Sequence, residues 1–150
     1  MLKASSSTIQ KIILLFWSCY FSIVTVTNIL DGLKAMGVLS NDWKLVSGNF
    51  EMILQTTSKL AMPVYLIAFL YCGVILIELI TSALFWKSVR NTTDINVYPA
   101  YSAGLLLFAG FILADEIFCD FTFESIHMRI FFGLLVSLAT LIILRRTKEN

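Results

Sequence analysis

The hydrophobic residues of the chain fall into four long, continuous runs. They cover residues 12–30, 63–86, 100–119 and 125–144. A helix that crosses the hydrocarbon core of a bilayer needs about 20 residues at about 1.5 Å per residue. Because the runs are continuous rather than alternating, they predict helices and not the strands of a β-barrel. The pattern therefore predicts a single transmembrane domain over residues 1–150, an all-α, antiparallel four-helix bundle.

The segment between the first two runs, residues 31–62, is long for a loop without secondary structure. Trp43, Val46, Phe50 and Ile53 recur in it at helical spacing. This spacing predicts a short amphipathic helix that lies at the outer membrane interface. The alternative is that the loop only caps the bundle.

Composition narrows the class of protein. Apolar residues make up 58% of the chain and charged residues 14%, and the mean hydropathy is +0.84. A soluble domain is about 45–50% apolar and about 25% charged, and a disordered chain needs low hydrophobicity. Both classes are excluded, which leaves an integral membrane protein.

The basic residues are divided unequally between the two ends of the predicted bundle. With four spans, one side carries the N-terminus, the loop 87–99 and the C-terminal tail. That side holds seven basic residues: Lys3, Lys11, Lys87, Arg90, Arg145, Arg146 and Lys148. The other side holds four: Lys34, Lys44, Lys59 and Arg129. The positive-inside rule then places both termini in the cytoplasm and the protein in the cytoplasmic (inner) membrane.

Small and hydroxyl residues indicate the helix faces that pack together, because hydrophobicity does not drive association within lipid. The first helix has such a stripe, which ends at Asn28. The fourth helix has another, which begins at Gly133, and Arg129 lies one turn before it. The third has Ala103, Gly110 and Ala114. We therefore expect Arg129 to face the bundle interior.

Polar residues gather at the predicted outer end of the bundle. They include Asn28, Asp31, Asp115, Glu116, His127 and Arg129. Arg129 lies at a depth similar to that of Asp115 and Glu116, so we expect it to pair with one of them. Two interpretations remain open: a vestibule for a cation or solute, in which His127 and the acids would hold a metal, or a salt-bridged cap that locks helix ends. One histidine with scattered acids does not match the spacing of a metal motif, so we predict no metal site.

Glu78 is the most informative single residue, since it lies within the second run. It precedes Trp86 by eight residues, which puts it about 12 Å inside the cytoplasmic boundary. No Lys or Arg of the other helices lies at that depth, but Ser18, Ser22 and Ser137 do. Glu78 is either a proton- or cation-coupled carboxyl group or a neutral glutamic acid that is hydrogen-bonded to these serines and fixes helix register.

The sequence contains no catalytic signature. It lacks a nucleophile elbow, an HExxH motif and a phosphate-binding loop. Its three cysteines form no CxxC pair, and one histidine cannot hold a haem between two histidines. We therefore predict no enzymatic activity, no catalytic residue and no cofactor. The net charge of +1 gives no reason to expect a nucleic-acid partner.

Several short motifs between residues 12 and 144 resemble a bacterial family of small four-helix inner-membrane proteins of unknown function. They are Asn28 with Asp31, Asn49-Phe50, Thr56-Thr57, Glu78, and Glu116 with Arg129. The chain departs from that family in a longer outer loop and in Phe118, Phe121 and Phe123, which replace a tryptophan-rich stretch. The resemblance implies the four-span topology and singles out Glu78, Glu116 and Arg129, but it implies no substrate.

These patterns predict a small multi-pass membrane protein that serves as an accessory or interaction subunit of a larger membrane complex. Its partners would be the lipid bilayer and either another membrane protein or further copies of itself. This prediction rests on the polar residues of the chain, nearly all of which occur in patterns typical of helix packing. The alternative is a small proton- or cation-coupled transporter that uses Glu78 and the outer acidic cluster.

Overall fold

The described residues fold into five helices, and the longest connection between them, residues 36–48, joins the first helix to the second. The structure, a computed structural model, describes residues 2–58 and 60–149, and their side chains at 7–57 and 60–146. Expectations that involve residues 1, 59 and 150, or the side chains of Lys3 and Lys148, lie outside the described residues. The helices are α1 (Leu2–Ala35), α2 (Asn49–Ser58), α3 (Val64–Arg90), α4 (Asp94–Phe118) and α5 (Glu124–Glu149). The all-helical prediction is confirmed, since the described residues contain no strand.

The four long helices pack together. Helix α1 lies against α3 and α5, α4 lies between α3 and α5, and the short α2 packs on α1 and α3. Within the described residues, four helical segments are long and apolar enough to cross a membrane: Ser7–Ala35, Val64–Arg90, Asp94–Phe118 and Glu124–Arg146.

Helix α1 is longer than predicted, because its C-terminal signal lies beyond the apolar run. Gly37 has a φ of +73°, which glycine adopts without a Cβ penalty. The Gly37 and Val38 N–H groups donate to the carbonyls of Lys34 and Leu33, each at 2.9 Å. This is the Schellman arrangement, and it ends the helix at Ala35. Asn28 therefore lies about two turns inside the helix rather than at its end.

The connection between α3 and α4 is shorter than the predicted loop 87–99. It consists of residues 91–93, and Pro99 lies inside α4. The side-chain amide of Asn96 donates to the Asn91 carbonyl at 3.0 Å and to the Thr93 hydroxyl at 3.1 Å. These bonds hold the turn and let α4 begin at Asp94, before the proline. Arg145 of α5 pairs with Asp94 and donates to the Thr92 carbonyl.

The amphipathic helix in the first long loop exists, but it begins later than its pattern suggests. Trp43 and Val46 belong to an irregular segment, and α2 starts after Gly48, which has a φ of +77°. A residue in this left-handed conformation cannot continue a helix. Helical spacing alone therefore placed the start of α2 too early.

The core is aromatic and lies toward the α3–α4 connection. The rings of Phe21 and Phe85 stack with centroids 5.5 Å apart, and Tyr101 meets Phe85 edge-on at 5.1 Å. All three side chains are fully buried. Helix α4 approaches this core through Gly104, where a Cβ would lie 3.2 Å from Phe21 Cζ. Gly110, which we expected to be a packing residue, has open space around it.

Candidate functional site

Glu78 lies near the middle of α3 and is only 2% exposed. Both of its carboxylate oxygens accept hydrogen bonds from the Nδ2 of Asn28 on α1, each at 2.8 Å. The expected serine partners are engaged elsewhere. Ser22 bonds to Ser82 and accepts a hydrogen bond from Trp86, and Ser137 accepts one from Trp17. Among the described residues Glu78 accepts hydrogen bonds from Asn28 and not from a serine, so the expectation of serine partners is wrong.

Asn28 connects Glu78 to α2. Its Oδ1 accepts a hydrogen bond from Asn49 Nδ2 at 2.9 Å, and its backbone carbonyl accepts one from the Tyr71 hydroxyl at 3.2 Å. Asn28 is 1% exposed, so its amide depends on these partners for its hydrogen bonds. A buried amide without partners is costly, which makes this chain of bonds a fixed link among α1, α2 and α3.

Asp31 lies one turn after Asn28 on α1 and binds the start of α2. Its Oδ2 accepts hydrogen bonds from the Phe50 backbone N–H at 2.8 Å, the Tyr71 hydroxyl at 3.0 Å and the Ser47 hydroxyl at 3.2 Å. The first turn of a helix has unpaired N–H groups and a partial positive charge. A carboxylate from α1 therefore stabilises the N-terminus of α2.

Asp115 near the end of α4 pairs with His127 of α5. The distance between Asp115 Oδ2 and His127 Nδ1 is 2.7 Å, and the two side chains are 12% and 17% exposed. The imidazole also lies against the ring of Phe111, with centroids 5.1 Å apart. The expected partner, Arg129, is exposed, and within the described residues it forms no salt bridge.

The rotation of α5 about its own axis explains why His127, and not Arg129, faces Asp115. Residues two positions apart point about 200° apart around a helix, so His127 and Arg129 cannot both face α4. Glu116 is exposed as well, since the helix turns about 100° between it and Asp115. The structure thus brings Asp115 and His127 together and leaves Glu116 and Arg129 on the outside.

A cavity of about 370 Å³ extends between the Glu78–Asn28 pair and the Asp115–His127 pair. Glu78 and Asn28 line it near the middle of the bundle, and Asp115 and His127 line it nearer the start of α5. Helix α2 lies over it with Met52, Ile53, Thr56 and Thr57. Most of the remaining wall is apolar. On the side toward the α3–α4 connection, the aromatic core fills the bundle.

The C-terminal half of α2 is held by a second bond across the cavity. Cys119 adopts a left-handed conformation with a φ of +49° and ends α4. The Thr56 hydroxyl donates to Asp120 Oδ2, the next residue along the chain, at 2.6 Å. Together with the Asp31 contacts, this bond attaches α2 at both ends, so that α2 covers the cavity.

Sequence reasoning did not identify Tyr71, Asn49, Thr56 or the aromatic wall as parts of this site. Tyr71 precedes Glu78 by seven residues, which places both on one face of α3. That spacing was a usable signal. The same spacing could not predict that Glu78 pairs with Asn28, because the depth of Asn28 in the bundle depends on where α1 ends.

Within the part of the chain that the structure describes, no group of three or more histidine, cysteine, aspartate or glutamate residues could hold a metal ion. Comparisons with protein-family models, curated proteins and solved structures gave no match. The family resemblance therefore stays a prediction.

Proposed function

We propose that the chain is a multi-pass protein of the cytoplasmic membrane, with four antiparallel spans and both termini in the cytoplasm. Its four long helices support this proposal, because they carry large apolar side chains on their outward faces. Phe69 of α3 and Leu106 of α4, for example, are each 73% exposed. Helices that are apolar on all sides are typical of membrane spans. The excess of basic residues near the termini supports the orientation.

We further infer that the protein exchanges a small cation or a proton at Glu78, as a coupled transporter does. The observation that carries this proposal is a buried carboxyl group that lines a cavity and has only a neutral amide partner, with no basic side chain bonded to it among the described residues. An isolated charge is costly to bury. Such a carboxyl group therefore retains a proton or takes up another cation.

The architecture favours a carrier over an open pore. The cavity ends at the aromatic core around Phe21, Phe85 and Tyr101, whose side chains are fully buried. A solute that reaches Glu78 from the α2 side thus meets a closed wall. Passage to the other side would require a second arrangement of the helices, as in alternating access.

Reconstituted vesicles that contain a trapped pH indicator test this proposal. An inward gradient of sodium, potassium or benzyltrimethylammonium should drive protons out and raise the luminal pH. We expect Glu78→Gln to abolish this response. The matched control, Asp42→Asn, changes an exposed carboxyl group outside the cavity and should retain it. A wild-type protein that gives no response to any of the three cations, or a Glu78→Gln variant that responds fully, would contradict cation exchange.

A second proposal, the accessory subunit, is favoured by Glu116 and Arg129. Both lie on the outside of apolar helices, and charged side chains in such helices usually face protein or water. A partner subunit or a second copy with opposite charges would cover them. Purification in mild detergent, followed by native mass measurement, tests this. A stoichiometric partner that is lost from Glu116→Gln or Arg129→Gln supports the accessory role, and a monomer contradicts it.

A further inference from the structure

Aromatic rings form a large part of the wall of the cavity. Six described lining residues are aromatic: Tyr20, Tyr71, Phe108, Phe111, Phe118 and Phe123. Two of them form a cluster on α4, where Phe108 meets Phe111 edge-on with centroids 5.5 Å apart. The face of an aromatic ring carries partial negative charge. A ring that presents its face to the cavity therefore attracts cations as well as apolar groups.

Three carboxyl groups line the cavity beside neutral amide and hydroxyl groups and one imidazole. Its lining includes the carboxyl groups of Glu78, Asp115 and Asp120, and no lysine or arginine among the described residues. Asp115 already has the imidazole of His127 as its partner, and Asp120 accepts a hydrogen bond from Thr56. Glu78 is bonded to a neutral amide. The cavity is therefore complementary to a positive charge, and Glu78 is best placed to neutralise it.

We infer that this cavity binds a lipophilic organic cation, that is, an ammonium group with apolar substituents. This inference rests on the proposed function and specifies its solute. The carboxyl groups disfavour an anion, and a neutral apolar solute could not take the place of the proton on Glu78. The volume of about 370 Å³ lies within the range of small-molecule sites, roughly 300–1,000 Å³.

A bare inorganic cation fits this wall poorly. Sodium and other hard cations need several oxygen ligands to replace their water, and most of the wall consists of aromatic and aliphatic carbon. An organic ammonium ion is weakly hydrated and can place its substituents against the rings. Its charge then lies near Glu78 without a full shell of oxygen atoms.

The test is equilibrium dialysis of the full chain in lipid nanodiscs, with empty nanodiscs as the blank. The probe is benzyltrimethylammonium, and the matched control ligand is neopentylbenzene, which has the same shape with carbon in place of the charged nitrogen. We expect saturable binding of the cation and only bilayer partitioning of the neutral compound. Equal binding of the two, or no binding of the cation, would overturn the inference.

Variants separate the two parts of the proposed recognition. Glu78→Gln removes the counter-charge, and Phe111→Leu removes a ring while keeping an apolar side chain. Each should weaken cation binding about tenfold or more, given the size of buried cation–π and charge contacts. The controls are Asp42→Asn and Phe132→Leu, which change exposed residues outside the cavity and should bind as the wild type does. If Glu78→Gln does not fold, Phe111→Leu and the neutral ligand still decide the outcome.

The vesicle assay distinguishes this inference from the proposed function. If sodium or potassium produces a Glu78-dependent proton flux while benzyltrimethylammonium neither binds nor acts, the organic cation is wrong and cation exchange stands. If none of the three cations acts and none binds, both are wrong.

Discussion

Glu78 and Asn28 are 50 residues apart in the sequence, yet one amide nitrogen of Asn28 lies 2.8 Å from each carboxylate oxygen of Glu78. This contact joins α1 to α3 near the middle of the bundle, where both residues are buried. It has two consequences that can be measured separately. It stabilises the packing of the two helices, and it leaves the carboxyl group beside the cavity without a cationic partner among the described residues.

Replacement of Asn28 by leucine should lower the stability of the protein. Glu78 would lose its only hydrogen-bond partner among the described residues, and leaving a buried polar group unpaired costs about 1–3 kcal/mol. The measurement is thermal unfolding in detergent. In a Glu78→Leu background the same substitution should cost clearly less, since the partner is gone. Equal costs in the two backgrounds would show that the contact contributes nothing to stability.

The sequence predicts the helices well because each apolar run is long enough to span a bilayer and has no strand-like alternation. It predicts helix ends less well, since these depend on local backbone conformation. Helix α1 continues past Leu30 to the Gly37 turn, and this extension moves Asn28 from the expected helix end to the level of Glu78. The rotation of each helix about its own axis cannot be predicted from the apolar runs either. One apolar run gives no reason to place His127 rather than Arg129 toward Asp115.

The start of α2 provides a second prediction. Asp31→Asn should loosen α2, because a neutral amide is a weaker acceptor for the Phe50 N–H and Tyr71 hydroxyl than a carboxylate. Loss of a helix-capping acceptor costs about 0.5–2 kcal/mol. Hydrogen exchange of residues 49–58 should become faster, whereas that of α3 should not change. The control is Asp42→Asn, an exposed position in the connection between α1 and α2, and equal exchange in the two variants would contradict the role of Asp31.

The pairing of Asp115 with His127 predicts unequal effects for two neighbouring positions on α5. His127→Phe keeps the ring contact with Phe111 but removes the partner of Asp115, so unfolding should become easier by about 1–3 kcal/mol. Arg129→Gln changes an exposed side chain and should shift stability by no more than about 0.5 kcal/mol. Thermal unfolding of both variants checks this. A larger loss at Arg129 would indicate that it, and not His127, pairs with Asp115.

Two glycines of α4 should respond oppositely to alanine. A Cβ at Gly104 would lie 3.2 Å from Phe21 Cζ and 3.3 Å from Leu134 Cδ1, whereas nothing lies within 4 Å of one at Gly110. Overpacking of a core costs about 1–3 kcal/mol, so Gly104→Ala should destabilise the protein. Gly110→Ala should stabilise it slightly, by about 0.4–1 kcal/mol. Similar unfolding temperatures for the two variants would contradict the close approach of α4 to α1 and α5.

The proposed orientation in the membrane predicts which loops a reagent can reach from outside the cell. The exposed native cysteines, Cys19, Cys72 and Cys119, are first replaced by alanine, and single cysteines are then introduced at Asp42 and at Asn91. A membrane-impermeant maleimide should label Asp42→Cys in intact cells, because residues 36–48 would face outward. Asn91→Cys should react only after the membrane is permeabilised, since the positive-inside rule places the α3–α4 connection in the cytoplasm. Labelling of Asn91→Cys but not of Asp42→Cys in intact cells would show that the topology is the inverse of the proposed one. The cavity beneath α2 would then open to the cytoplasm.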